Sequence, residues 1–265
     1  MNTENIFIIR VVLSFFIAGG WIAFSTILAE RFGSKIGGLI SNLPSNILVS
    51  LIFISIVNDV NYVGNLVPAV PIGLIIDVFF LIVFIILLRF NLFISVVTSL
   101  FVWFLSAFIM PRFELNNLTV NILICILVIV IAVLFLEKVV KVKSQQNHRK
   151  RYSAGQIIFR TVFGGGIVAT IVVISKYCSP YFTGIFSTFP AMLLSTLILL
   201  SLNQSKEFAM ATGKVLILSL TNIIVYVLFV SLTYPRIGIL LGTIVSYVLS
   251  ALWITFLYPV VKRMV

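Results

Sequence analysis

An acidic residue, Asp77, lies in the middle of a long apolar stretch, IGLIIDVFFLIV. Ionisable groups are costly in apolar surroundings and by default justify a functional hypothesis. Desolvation disfavours the charged form, so Asp77 is expected either to take up and release a proton or to stay charged opposite a cation such as Lys214. The alternatives are a structural hydrogen bond from Asp77 to a neighbouring helix, and a Lys214 side chain that extends to the membrane interface.

A second polar residue, Asn222 in SLTNIIVYV, follows Asp77 at a spacing of 145 positions. It lies at about the same depth of an equivalent apolar segment. The pair predicts a central polar site to which both halves of the chain contribute.

Two prolines, Pro44 and Pro190, interrupt further apolar stretches. Proline lacks a backbone N–H and clashes with the preceding turn, so each is expected to break or kink its helix. Short polar residues surround both, and interrupted helices at corresponding positions of two repeats are typical of transport sites. The alternative is a kink that serves packing only. The predicted substrate-binding residues are Ser41, Asn42, Pro44, Asn46, Asp77, Ser187, Thr188, Pro190 and Asn222.

The residue types argue against enzyme chemistry. Hydrolysis inside a membrane needs a Ser and His pair, two carboxylates or a metal site. The one histidine, His148, lies in a charged segment, and Cys125 and Cys178 lack metal-ligand or disulfide spacing. We therefore expect no catalytic residues, no metal and no cofactor.

Composition identifies the surroundings of these residues. Of 265 residues, 61% are hydrophobic and 9% are charged, which is more apolar surface than a soluble domain of this size can bury. The basic residues behind the net charge of +11 lie at segment ends and in one loop, a pattern of membrane topology and not of nucleic-acid binding. The fold class is therefore predicted to be all-α, a transmembrane helical bundle with lipid as its solvent.

Apolar stretches of roughly 20 residues recur along the chain and predict nine spans. A basic loop, 138–156, separates the fifth span from the sixth and is expected on the cytoplasmic side. This orientation places the N-terminus outside and the C-terminus inside a multi-pass plasma-membrane protein. The predicted spans are 8–29, 36–57, 66–88, 91–110, 118–139, 157–177, 181–202, 208–233 and 237–260.

An internal duplication organises these spans. The segment GGLISNLPSNILVSLI at 37–52 aligns with TGIFSTFPAMLLSTLI at 183–198, and TSLFVWFLSAFI at 98–109 aligns with GTIVSYVLSALW at 242–253. An odd number of helices between equivalent positions inverts the second unit. We predict a first four-helix repeat, a linker helix with the basic loop, and a second four-helix repeat, at 1–113, 114–156 and 157–265.

The segments KIGGLISNLPSNILVSLIFI and YFTGIFSTFPAMLLSTLILL, each followed by two more spans and a last helix rich in Ser and Ala, resemble the GlpM-like small membrane proteins. Members of that family are about one such four-helix unit long. The resemblance implies two fused copies of the unit, and the family brings no established activity with it.

Two functions from different classes fit this organisation. The first is a secondary transporter or exporter of a small solute, coupled to a proton or cation, with a site near the midplane between inverted repeats. The second is a non-catalytic membrane scaffold or accessory subunit of an envelope process. A polar cavity between the repeats favours the first, and a dry, tightly packed interface favours the second.

Overall fold

The computed structural model describes residues 3–31, 43–113, 115–142 and 153–264. Every regular element in these ranges is helical, which confirms the predicted all-α class. Two predicted site residues, Ser41 and Asn42, and most of the basic loop lie outside the described residues. The helices are α1 (Thr3–Arg31), α2 (Ser45–Val57), α3 (Val60–Leu66), α4 (Val70–Leu88), α5 (Leu92–Ile109), α6 (Leu118–Lys138), α7 (Ala154–Tyr177), α8 (Pro180–Phe186), α9 (Ala191–Asn203), α10 (Lys206–Ser219) and α11 (Thr221–Met264).

Seven helical segments of the described chain are long and apolar enough to cross a membrane. Their lengths and compositions are those of a multi-pass membrane protein. Helix α2 is apolar but has only 13 residues. The segments are Glu4–Ile27, Val60–Leu88, Leu92–Phe113, Leu118–Lys138, Ala154–Tyr177, Pro180–Asn203 and Lys206–Val260.

Helix α11 folds back on itself at Gly238, whose φ of 79° and ψ of 175° are a conformation that only glycine adopts readily. The hydroxyl oxygens of Thr233 and Ser246 are 3.2 Å apart across this turn. In a straight helix, the same two positions would be separated by about 20 Å. The Tyr234 hydroxyl likewise lies 2.7 Å from Thr243 Oγ1. Helix α11 therefore consists of two antiparallel arms, one on each side of Gly238.

Helix starts recur at one constant offset between the two halves. Helices α2 and α9 begin at equivalent positions of the duplication and have 13 residues each. Helices α3 and α10 begin at equivalent positions too, each after a capping side chain that accepts a hydrogen bond from a backbone N–H three positions later. These caps are Asp59, which accepts from Tyr62 at 2.6 Å, and Ser205, which accepts from Phe208 at 3.1 Å. The same local structure is therefore built twice.

The first helix of each half packs against the other, and the two run antiparallel. Phe7, near the start of α1, meets Tyr177, at the end of α7, with ring centroids 6.5 Å apart. Farther along, a Cβ atom on Gly165 would lie only 2.7 Å from the carbonyl oxygen of Phe15 and 3.3 Å from the backbone nitrogen of Gly19. Gly19 and Gly165 occupy equivalent positions of the duplication, so equivalent glycines allow the two backbones to touch.

Helix α4 is the central element. In the segment Val60–Leu88, 67% of the most apolar window is buried within the protein, against 22% for the segments that contain α1, α5 and α6. Helix α4 packs against α5, α6, α8 and α10. The apolar side chains of α4 therefore pack mainly against other helices, whereas many of those on α5 and α6 lie on the outside of the bundle, as expected for contact with lipid.

Candidate functional site

Helices α2 and α9 begin in the same way, each directly after a proline. Pro44 has φ −72° and ψ 55°, and Pro190 has φ −78° and ψ 43°, close to an inverse γ-turn. At both, the next residue donates to the carbonyl of the residue before the proline, Ser45 to Leu43 at 2.6 Å and Ala191 to Phe189 at 2.7 Å. The proline rings thus start two equivalent helices inside the bundle.

In the second half, the chain upstream of Pro190 is a broken helix. Helix α8 ends at Phe186, and the connection to α9 contains Ser187 and Thr188, both buried. Their hydroxyls donate to the carbonyls of Gly184 and Ile185, at 2.7 and 2.9 Å. The break predicted at Pro190 is therefore present, and its polar side chains are bonded locally.

The break reaches α4 at a glycine. A Cβ atom on Gly73 would collide with Thr188 and would lie 3.0 Å from the carbonyl oxygen of Ile185. Gly73 is one helical turn before Asp77, so this close approach sets the broken segment beside the carboxylate.

A small cavity lies between the two helix starts and α4. About 70 Å³ of it is accessible to water, which is room for a few water molecules or a small ion. Its wall also contains Ser45, Thr196 and Ser219, which were not predicted. The predicted site residues that line it are Pro44, Asn46, Asp77, Ser187, Thr188 and Pro190.

Backbone donors without an acceptor among the described residues occur at both helix starts, in residues of the cavity wall. No described backbone or side-chain group accepts from the N–H of Asn46, Ile47, Met192 or Leu193, and neither helix has a side-chain cap. All four residues line the cavity. The buried Oδ1 of Asn46 also has no hydrogen-bond partner among the described residues. Buried polar atoms usually have a protein or water partner, so these positions can accept a hydrogen bond from water or a small polar molecule at Asn46 Oδ1 and donate from the helix starts.

Asp77 is 1% exposed and accepts a hydrogen bond from Trp103 Nε1 at 2.8 Å. Trp103, on α5, is fully buried and packs edge-on against Phe186 and Phe189, with centroids 5.3 and 4.9 Å away. One tryptophan therefore connects the carboxylate with both sides of the helix break. The carboxylate keeps further acceptor positions toward the cavity.

Asp77 forms no ion pair with any described residue. Lys214 is 2% exposed on α10, but Trp103 is the only hydrogen-bonding side chain that acts on Asp77 in the described chain. A second buried cation, Arg160 on α7, is 1% exposed, with a guanidinium nitrogen 3.9 Å from the sulfur of Met192 in the cavity wall. Arg160 has further contacts of its own.

The structure does not bring Asn222 to the cavity. The offset between the two halves aligns Asp77 with Ile223, which lines the cavity, and Asn222 is one position earlier on the helix. Its side chain is fully buried and accepts a hydrogen bond from Ser250 Oγ on the second arm of α11. One residue turns a side chain by about 100° around a helix, which explains the different surroundings.

Trp103 is the main residue that sequence reasoning missed, although a signal was present. Asp77 lies as far before the end of α4, at Leu88, as Trp103 lies after the start of α5, at Leu92. In two antiparallel helices joined by a short turn, residues equidistant from the turn lie side by side. This symmetry about the turn predicts their contact.

Comparison with known proteins identifies one family. The sequence model of a family described as "Protein of unknown function (DUF3147)" matches residues 11–118 and again residues 157–263. The two matches agree with the predicted duplication, while the GlpM-like resemblance stays a prediction. No curated protein and no solved structure matches the chain.

Proposed function

Because the chain belongs to the DUF3147 family, whose sequence model it matches twice, we propose that it is a secondary transporter or exporter of a small solute built from two such units. The observation that carries the proposal is the cavity between the equivalent helix starts at Pro44 and Pro190, with Asp77 in its wall. Interrupted helices that meet at a central polar site are the usual construction of such transporters.

The architecture that we propose is nine spans in two inverted repeats. Helix α2 lies within the predicted span 36–57, and the two arms of α11 contribute to two further spans. The antiparallel contact of α1 with α7, at Gly19 and Gly165, is what a two-fold axis in the membrane plane would produce. We also propose that the basic loop 138–156 is cytoplasmic. The cavity is proposed to lie near the middle of the plasma membrane, where the two repeats meet.

Asp77 is proposed as the coupling group, which binds a proton or cation during each transport cycle. The carboxylate is buried, lines the cavity and forms no ion pair with a described side chain. Loss or gain of one charge at this position changes the electrostatics of the whole cavity, because the surroundings screen it weakly.

The first test is a thermal-shift screen of the purified protein in detergent against small metabolites and ions at two pH values. A ligand that binds only the folded state raises the melting temperature. Any compound found is then followed into vesicles that contain the reconstituted protein. Saturable, protein-dependent flux supports transport, and a folded protein that neither binds nor moves any compound favours the scaffold function.

Asp77→Asn tests coupling, with Asp59→Asn as the matched control. Both variants remove one negative charge, but Asp59 is exposed and Asn also caps helices well. We expect flux to fall to background in Asp77→Asn and to stay within twofold of wild type in Asp59→Asn. Equal flux in Asp77→Asn and wild type would remove Asp77 from the mechanism.

Pro44→Ala and Pro190→Ala test the helix breaks. Alanine restores a backbone donor and favours a continuous helix, which would close the space between the two helix starts. We expect at least one variant to lose solute binding while it remains folded. Normal affinity in both would show that the solute binds elsewhere.

A further inference from the structure

Three connections between helices meet at one end of the bundle. The guanidinium of Arg89, directly after α4, donates to the backbone carbonyl of Val140, just beyond α6. The ammonium group of Lys206, at the start of α10, donates at 3.2 Å to the backbone carbonyl of Phe90, in the turn between α4 and α5. The ends of α4, α6 and α9 and the starts of α5 and α10 therefore lie close together.

Basic side chains outnumber acidic ones on the helix ends that meet here. Helix dipoles change this balance little, because three helices end and two begin, which leaves about half a negative charge. We call this surface the basic corner. Its described charged residues, all exposed or half-exposed, are Arg89, Lys138, Lys141 and Lys206, against Glu137 and Glu207.

Arg89 and Lys206 keep hydrogen-bond donors beyond those given to the two carbonyls. Each donates one hydrogen bond within the described part of the chain. A guanidinium has five N–H groups and an ammonium group has three. The remaining donors suit the free oxygens of a phosphate group, which both side chains bind well.

Lys141 is fixed at the corner by the turn that closes α6. Its φ of 55° is a left-handed conformation that favours glycine. The next residue, Val142, donates its N–H to the carbonyl of Leu136 at 3.1 Å and is only 7% exposed. The chain thus turns back onto the protein, and the backbone of Lys141 stays beside the end of α6.

Large apolar side chains next to the basic cations are exposed. Phe90 and Phe93 are 73% and 75% exposed, and Val139 and Leu202 are 66% and 69% exposed. Phe93 and Leu202 lie near the ends of segments long and apolar enough to cross a membrane, where lipid acyl chains are the expected neighbours. A ligand that covers both kinds of side chain has an anionic head and an apolar tail.

We propose that the basic corner binds the headgroup of an anionic phospholipid, whose acyl chains lie against Phe93 and Leu202. The phosphate group accepts hydrogen bonds from Arg89 and Lys206 and reduces the repulsion among the basic side chains. The lipid thereby connects the turn between α4 and α5 with the end of α6 and the start of α10. This inference goes beyond the proposed transport function and holds equally for a scaffold.

Native mass spectrometry of the full chain in detergent measures the binding of single phospholipid molecules. We expect phosphatidylglycerol to bind about fivefold more tightly than phosphatidylcholine with the same acyl chains, because only the first has a net negative charge. Glycerophosphoglycerol, the same headgroup without acyl chains, should bind far more weakly. Equal Kd values for the two lipids would overturn the proposal, and equal Kd values for phosphatidylglycerol and its bare headgroup would make the corner a site for free phosphate compounds.

The double variant Arg89→Gln and Lys206→Gln tests the cations, because glutamine keeps a donor but carries no charge. Its matched control is Arg112→Gln with Arg236→Gln, two exposed arginines at the opposite end of α5 and of the first arm of α11. We expect the Kd of phosphatidylglycerol to rise about fivefold in the first double variant and to stay within twofold of wild type in the control. Equal Kd values in the two would contradict a site at the basic corner.

Lys141→Gly removes a charge without a risk to the fold. Glycine adopts a φ of 55° more readily than lysine, so the melting temperature without added lipid should stay the same or rise. We expect the Kd of phosphatidylglycerol to rise about threefold, and less so in 0.5 M salt, which screens the charge. Wild-type affinity in this folded variant would contradict an electrostatic site here.

Phe93→Ala tests the acyl-chain contact, with Phe113→Ala as its control. Both phenylalanines are exposed, at 75% and 62%, and they lie at opposite ends of the same apolar segment. We expect phosphatidylglycerol to bind about threefold more weakly in Phe93→Ala and unchanged in Phe113→Ala. Equal affinities in the two variants would overturn the assigned position of the acyl chains.

Discussion

The two halves of the protein place a polar residue at nearly the same point of equivalent helices but use it differently. In the first half, Asp77 lines the cavity and accepts from Trp103 of the next helix. In the second half, Asn222 lies one position off the repeat and accepts from Ser250. One half therefore holds an ionisable group that faces the cavity, and the other holds a neutral pair that joins two helices.

This difference shows how a duplicated backbone becomes specialised. The helix starts and the proline turns recur at equivalent positions of the two halves, so the backbone of the site is shared. The side chains on it have diverged, and the asymmetry at the charged position gives the cavity one titratable group. A symmetric pair of carboxylates in so small a space would repel each other.

The largest effect is expected where the two halves touch. Gly165→Val would force side-chain atoms into the backbone of Phe15, whereas a Cβ atom on Gly166 would meet nothing within 4 Å. Because backbone atoms cannot move aside, we expect a loss of about 3 kcal/mol or more in the free energy of unfolding. Gly166→Val is the matched control and should cost much less. Unfolding in increasing SDS measures both.

Exchange of the two polar residues tests the comparison directly. Asn222→Asp places a carboxylate away from the cavity, at a fully buried position beside Ser250, and should cost about 2.5 to 3.5 kcal/mol. Asp77→Asn removes the buried ionisable group and keeps an acceptor for Trp103, so we expect a change below about 1 kcal/mol. Similar costs for both would mean that the two positions are electrostatically equivalent.

The indole N–H of Trp103 is the next contact to remove. Trp103→Phe keeps an aromatic ring against Phe186 and Phe189 but leaves Asp77 without its donor, which should cost about 1 to 3 kcal/mol. In an Asp77→Leu background the same substitution should cost measurably less. A double-mutant cycle gives the coupling energy, and a value of zero would contradict the hydrogen bond as a stabilising contact.

The smallest effect is expected in the second half. Ser250→Ala removes one neutral hydrogen bond to Asn222, and such bonds between membrane helices average about 0.6 kcal/mol. The same SDS titration measures it, and solute flux should be unchanged. A cost equal to that of Trp103→Phe would show that the two pairs stabilise the fold equally.

Much of the fold followed from local sequence patterns. Apolar length predicted membrane helices, and the repeat of Pro44 at Pro190 predicted both helix starts at the correct spacing. Six of the predicted site residues line one cavity because the equivalent helix starts after Pro44 and Pro190 both lie beside α4. Asn222 was predicted at the same site but lies beside Ser250 and away from the cavity. An offset of one residue from the repeat points its side chain in another direction.

Residue type and spacing along single segments were enough to predict the all-α class, the duplication, the helix starts after Pro44 and Pro190 and the buried carboxylate. Which residues share the cavity wall depended instead on the folded chain. The meeting of Asn46 and Met192 across the cavity, the approach of Thr188 to Gly73 and the position of Arg160 behind Met192 depend on how helices far apart in sequence cross. Such crossings are determined by packing over whole helix faces, which no local pattern encodes.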